Sequence, residues 1–199
     1  MRKILASLVG ILLLTACSQV PRRPAAPPAS PYPRVAFITN QGSFVVQLDR
    51  HRAPLTVANF LHYVDSGFYN GTLIHRVVPG FVIQGGGYTV TYQKKKTGPP
   101  VPNESGNGLS NLLGAIAMAR ETSPHSATAQ SYINLADNTK LDPRPNCWGY
   151  AVFGKVISGM DVVDKIATVK TGKAGPFQTD APLTQVVILK AAELKPSLD

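Results

Sequence analysis

Cysteine is scarce in this chain: Cys17 and Cys147 are the two among 199 residues. A disulfide-stapled framework needs several pairs, so that class of fold is excluded. The four histidines, His51, His62, His75 and His125, show no metal-ligand spacing. No G-x-S-x-G elbow occurs, and the run Gln84–Gly87 is followed neither by G-K-[ST] nor by a helical pattern. Serine-hydrolase and nucleotide-binding readings therefore lack their core motifs. No metal and no cofactor is expected. Acidic residues are outnumbered, 11 against 20 Lys and Arg, for a formal charge of +9. The mostly apolar stretch Ile4–Leu14 is too short to span a bilayer comfortably.

That stretch instead has the anatomy of an export signal. Arg2 and Lys3 precede it, and Leu14-Thr15-Ala16-Cys17 closes it. Small residues ahead of a cysteine resemble a bacterial lipobox, in which the cysteine is acylated and becomes the mature N-terminus. Residues 1–17 are thus expected to be a lipoprotein signal, with Cys17 as the lipidation site. An ordinary secretory signal with an incidental cysteine is the alternative. Two or three acyl chains anchor firmly where one is marginal. Ser18 lacks the aspartate that favours inner-membrane retention in enteric bacteria. The expectation is therefore a lipid-anchored, periplasm-facing envelope protein, on the outer rather than the inner membrane.

Residues 18–33 carry Pro21, Pro24, Pro27, Pro28, Pro31 and Pro33. Such a composition cannot bury a core and favours polyproline II, reaching roughly 50 Å at about 3.1 Å per residue. It reads as a semi-rigid tether. Residues 34–199 suit one domain with one core. Losing Arg2 and Lys3 with the signal lowers the charge from +9 to +7. For an exported protein this favours anionic lipid or lipopolysaccharide over nucleic acid, and no nucleic-acid partner is expected. Lys94-Lys95-Lys96 lies in a polar, Pro/Gly-rich stretch and reads as a solvated loop.

Eight strand-like segments follow one another: Val35–Thr39, Phe44–Leu48, Leu73–Val78, Phe81–Gly85, Ala115–Ala119, Ser131–Leu135, Tyr150–Val156 and Gln185–Lys190. Two helical patterns interrupt them. One starts at Pro54 and places Val57, Phe60, Leu61 and Val64 on one face; the other aligns Met160, Val163, Ile166 and Ala167. The pattern alone supports a β-rich domain with two helices and no βαβ alternation.

The densest signal is His75–Gly87, HRVVPGFVIQGGG, two apolar runs around a Pro79-Gly80 turn. It strings a permanent cation (Arg76), a ring (Phe81) and a carboxamide (Gln84) along these two runs, with no nucleophile; paired as strands, they are expected to form a rigid apolar face carrying one cation and one neutral hydrogen-bonder. Together with Gly114–Arg120 (GAIAMAR), Ala129–Asp137 (AQSYINLAD) and Gly149–Ile166 (GYAVFGKVISGMDVVDKI), it resembles the cyclophilins, especially those of the bacterial periplasm. These are peptidyl-prolyl cis-trans isomerases. The resemblance implies a mainly β fold, a closed eight-stranded antiparallel barrel capped by two α-helices.

It also implies roles. Arg76 matches the catalytic arginine, Phe81 the aromatic lining the proline pocket, and Gln84 the carboxamide that contacts substrate backbone and helps place the arginine. Met118, Ala119, Gln130, Tyr132, Leu141 and Tyr150 match substrate-binding positions. Tyr132 stands where the family usually has phenylalanine, so a buried hydroxyl must find a partner or narrow the pocket. Lys140 stands where eukaryotic members often carry a tryptophan that contributes to cyclosporin binding, so weak drug binding is expected. Partners are Pro-containing polypeptides of exported proteins, and the chain is expected to be monomeric. The rival reading is a proline-segment binding module or chaperone with little turnover.

Overall fold

The computed structural model describes residues 30–195. The signal, Cys17 and most of the tether lie outside the described residues.

Strands β1 (Arg34–Thr39) and β2 (Gly42–Leu48) form a hairpin whose turn is closed by Thr39 Oγ1, which donates to the Gly42 carbonyl at 2.7 Å and accepts from Gln41 N–H at 3.0 Å. Alternation sends Val35, Phe37, Phe44, Val46 and Leu48 inward. Helix α1 (Pro54–Asp65) follows with proline in its first turn. Its own N-cap residue, Ala53, supplies no side-chain acceptor. The carboxylate of Glu104, some fifty residues later, takes its place: it accepts from Leu55 N–H at 3.1 Å and from Thr56 N–H at 2.8 Å. That pairing satisfies amide donors a helix start otherwise leaves free.

The remaining strands are β3 (Thr72–Val78), β4 (Val82–Thr89), β5 (Ala115–Met118), β6 (Ser131–Asn134), β7 (Val152–Ser158), β8 (Thr171–Ala174), β9 (Phe177–Pro182) and β10 (Val186–Leu194). Helix α2 (Met160–Ala167) lies between β7 and β8. The closed barrel runs β1-β10-β3-β4-β6-β5-β7-β2, with every pair antiparallel. Closure leaves no open edge. Helix α1 packs against β10, and α2 against β2, β3 and β4. The fold is the expected eight-stranded antiparallel barrel capped by two helices. Every expected strand is present, with ends shifted by a few residues; β8 and β9 form an additional hairpin outside the barrel.

An aromatic cluster fills the interior: Phe60 lies 5.0 Å from Phe153 and 5.3 Å from Tyr69, and Phe37 stacks on Phe44 at 5.0 Å. A second, smaller cluster covers the outer face of β4, β5, β6 and β7, with Val82, Ala115, Ala117, Tyr132 and Val152 buried under Phe81, Ala119, Leu141 and Tyr150. This outer face carries the site. The lysine run is less uniformly solvated than its composition suggests: Lys95 lies over the Phe68 ring at 4.3 Å, whereas Lys94 is exposed.

Candidate active site

Plain alternation along β3 puts Ile74 and Arg76 on the same face, and Ile74 is in the core. The register with β4 shows how the guanidinium escapes. Ile74 pairs with Gly85 and Arg76 with Gln84, so two residues on β3 advance against one on β4. This is a bulge at His75, and it re-aims the next side chain. Arg76 turns outward, directly across the ladder from Gln84, while Val77 takes the inward position. His75 is buried and stacks on Phe177 at 5.1 Å. Burial, aided by the adjacent Arg76 cation and partly opposed by the nearby Leu73 backbone, lowers its pKa from 6.5 to about 4.

Arg76 Nη1 donates to Gln84 Oε1 at 3.4 Å, and Gln84 Nε2 donates to Gln130 Oε1 at 3.2 Å. The Arg76 guanidinium carbon sits 5.8 Å from the Phe81 ring centroid, and Asp180 Oδ2 lies 3.7 Å from Arg76 Nε. The bond to Gln84 is the one side-chain hydrogen bond of Arg76 among the described residues, so N–H groups remain for a ligand. A neighbouring cation, Arg120, is committed differently. It donates to the carbonyls of Glu121, Thr122, Trp148 and Gly149 and lies over the Tyr150 ring at 4.6 Å.

Arg76, Phe81, Gln84, Ala119, Tyr132, Leu141 and Tyr150 line one cavity of about 320 Å³, completed by Val82 and Arg120. Seven of the nine expected site residues therefore meet there. Gln130 lines the adjoining cavity of about 440 Å³, which shares Gln84, Ala119 and Arg120 with the first. Met118 is apart: Ala117 belongs to the outer cluster, and alternation turns Met118 into the core. Tyr132 resolves its own question by finding a partner, donating to Asn111 Oδ1 at 2.8 Å. Its ring is 5 % exposed and packs edge-on to Tyr150 at 5.8 Å. Burial, reinforced by Tyr150 and Asp142, raises the phenol well above its ordinary pKa, so it stays a neutral donor.

Backbone pins fix the walls. The Phe81 carbonyl accepts from Leu135 N–H at 2.8 Å and from Asn138 Nδ2 at 2.9 Å. A short 3-10 turn, Thr139–Leu141, presents Leu141, whose carbonyl accepts from Tyr150 N–H at 2.9 Å. Lys140 reaches over Phe81 at 5.2 Å, and Trp148 stands away from the cavity against His125. Sequence reasoning missed Arg120, Val82 and Asp180. The first is the last residue of GAIAMAR and was within view; Asp180 sits on the unforeseen hairpin, whose one signal is the Gly175-Pro176 turn pair.

A cavity walled by Phe81, Leu141, Tyr132 and Tyr150, with the uncommitted donors of Arg76 on its rim and Arg120 beside it, suits a small hydrophobic ring next to a polar bond, and known proteins point the same way. Residues 34–193 match the family model described as cyclophilin type peptidyl-prolyl cis-trans isomerase/CLD. Peptidyl-prolyl cis-trans isomerase A of Dickeya dadantii is 47 % identical over 194 residues, covering 98 % of each chain. Peptidyl-prolyl cis-trans isomerase B of Escherichia coli is 50 % identical over 157 residues, covering 77 % of this chain and 95 % of that one. A solved cyclophilin type isomerase of Cryptosporidium parvum, in the presence of the dipeptide Ala-Pro, shares the fold with a TM-score of 0.68 at 24 % identity, covering 82 % of this chain and 99 % of its own. The chain belongs to the cyclophilin-type peptidyl-prolyl cis-trans isomerases and is an enzyme that acts on X-Pro bonds.

Proposed function

We propose that this isomerase works by arginine-assisted, non-covalent rotation of X-Pro bonds in exported proteins, as a lipid-anchored folding catalyst of the bacterial envelope. The observation that carries the mechanism is the outward turn of Arg76 onto the rim of the 320 Å³ cavity, across from Gln84. The uncatalysed barrier is about 18–20 kcal/mol because resonance stiffens the amide. Twisting the bond pyramidalises the prolyl nitrogen and gives it a basic lone pair. A fixed N–H donor at that nitrogen binds the twisted form better than either planar form.

The proline ring sits against Phe81, Leu141, Tyr132 and Tyr150, which hold one side of the bond. Gln84 and Gln130 take the backbone of the residues before proline, and Ala119 leaves room for that strand of peptide. Arg76 then donates as the other side turns. Each 1.36 kcal/mol of preference for the twisted form is about tenfold in rate. No proton is transferred, so no group has to titrate.

Arg76→Lys separates charge from fork geometry, because lysine keeps the cation but loses the planar donor array. A hundredfold or larger loss of kcat/KM on an Ala-Pro peptide in both Arg76→Lys and Arg76→Ala is the expected result. Full activity of Arg76→Ala is the contrary one. The envelope assignment rests on Leu14–Cys17 and the basic charge. Palmitate labelling of the full chain in a bacterial host, with label abolished in Cys17→Ser, tests it. Equal labelling of both, or none in either, argues against the anchor.

A further inference from the structure

The β8–β9 hairpin is not a barrel element, yet it packs on β3 beside the site. Phe177 holds it there, stacked on His75 at 5.1 Å and edge-on to Tyr88 at 4.9 Å. The pairing of the hairpin is irregular at one place. Gly172 pairs with Ala181 and Ala174 with Phe177, so Lys173 alone faces the three residues Gln178, Thr179 and Asp180. Asp180, inside that bulge, has a φ of +63°. Left-handed backbone is uncommon for a non-glycine residue in a strand, and bulges next to active sites commonly re-aim a side chain. Here the re-aimed group is a carboxylate, and it meets Arg76 Nε at 3.7 Å.

We propose that Asp180 is a positioning residue for Arg76, its carboxylate holding the Nε edge of the guanidinium while Gln84 holds Nη1. The inference rests on the reading of Arg76 as the donor in catalysis. With two edges of a planar fork held, the remaining N–H groups keep one direction, toward the cavity that Arg76 shares with Phe81 and Tyr132. Opposite bulges, one in β3 and one in β9, thus bring cation and anion together across two sheets. Asp180 does not line the cavity, so it acts through the arginine.

The test uses Asp180→Asn and Asp180→Gly in the full chain, with Arg76→Ala alongside. Asparagine tolerates the left-handed backbone and removes only the charge; glycine relieves the backbone and removes the side chain. Both are expected to lower kcat about three- to fivefold, the rate equivalent of a half-exposed ion pair, with KM within about twofold. The Arg76 Nε–H resonance is expected to move or broaden in both, with an unchanged unfolding midpoint in Asp180→Asn. Parental kcat and an unmoved Nε–H resonance in both variants overturn the inference. A raised KM with parental kcat overturns it too, because it marks a substrate contact. Arg76→Ala decides the level of failure: if it keeps full activity, the donor reading itself is lost. If it is inactive while the Asp180 variants are parental, only the positioning role is lost.

Discussion

The hydroxyl of Tyr132, in place of the family's usual phenylalanine, gives a sharp energetic prediction. Asn111 is fully buried, and its Oδ1 accepts from Tyr132 Oη at 2.8 Å and from Asn134 Nδ2 at 3.3 Å. Its backbone N–H and Nδ2 both donate to Asp142 Oδ1 at 2.8 Å. Tyr132→Phe removes one hydrogen bond but orphans nothing, since Asn134 still serves Asn111 Oδ1. The cost is about 1 kcal/mol. Asn111→Ala strands a buried phenol and takes one donor from Asp142, which retains the Ser110 hydroxyl. Its cost is about 3 kcal/mol, made of about 1–3 for the orphan and a share of a charge-assisted bond. In the Asn111→Ala background, Tyr132→Phe deletes a stranded hydroxyl and becomes neutral or stabilising. The double variant is therefore less destabilised than the sum of the singles, by about 1–2 kcal/mol. Urea unfolding of the four proteins measures the cycle, and melting supports it at about 2–4 °C per kcal/mol for this size. Additivity within about 0.5 kcal/mol refutes the coupling. A stabilising Tyr132→Phe in the parent refutes the claim that the hydroxyl is satisfied.

Three further predictions rest on single contacts. His75, with its pKa lowered from 6.5 to about 4, binds its proton more weakly folded than unfolded; its contribution is complete above 6.5 and lost as pH falls toward 4, on the order of 3 kcal/mol in all. His75→Gln is expected to flatten urea-midpoint loss between pH 6.5 and 4.5, and parallel curves for parent and variant contradict this. A Cβ on Gly87 meets the Gln130 carboxamide at 2.5 Å, the movable end of a side chain. Gly87→Ala should then cost several-fold in kcat/KM by displacing Gln130 while stability stays within about 1 kcal/mol; unaltered kinetics on an Ala-Pro peptide go against it. If the weak cyclosporin binding expected from the family resemblance holds, Lys140→Trp is expected to bind the drug about tenfold more tightly than the parent by adding an indole beside Phe81, read by titration calorimetry; an equal or weaker Kd counts against it.

Hairpin β1–β2, both helices and the barrel strands were legible because each has a local signal: alternation, a 3.6 period, or a turn pair. The site was legible through its motif, which names residues without orienting them. Orientation was hidden at the bulges. The step at His75 turns Arg76 outward, and no alternation rule applied to LIHRVV yields that face. Met118 shows the reverse case, where strict alternation in AIAM places it inward, next to outward Ala117 and Ala119. Contacts between distant segments were also beyond reach. Glu104 on α1, Asn111 under Tyr132 and Asp180 on Arg76 join segments roughly 20 to 100 residues apart, and each comes from a stretch whose composition reads as loop. The β8–β9 hairpin escaped because its strands are short and half exposed, without an apolar face to reveal them.

The most direct measurement is magnetisation-exchange NMR on an Ala-Pro peptide with the full chain and its Arg76→Ala variant, following peptide shifts and cis-trans exchange in the same samples. Fast exchange is expected with the parent, and in Arg76→Ala retained peptide shifts with exchange slowed by at least about a hundredfold. Parental exchange in Arg76→Ala would contradict this, and so would slow exchange in both proteins, which leaves a module that holds proline segments without turning them.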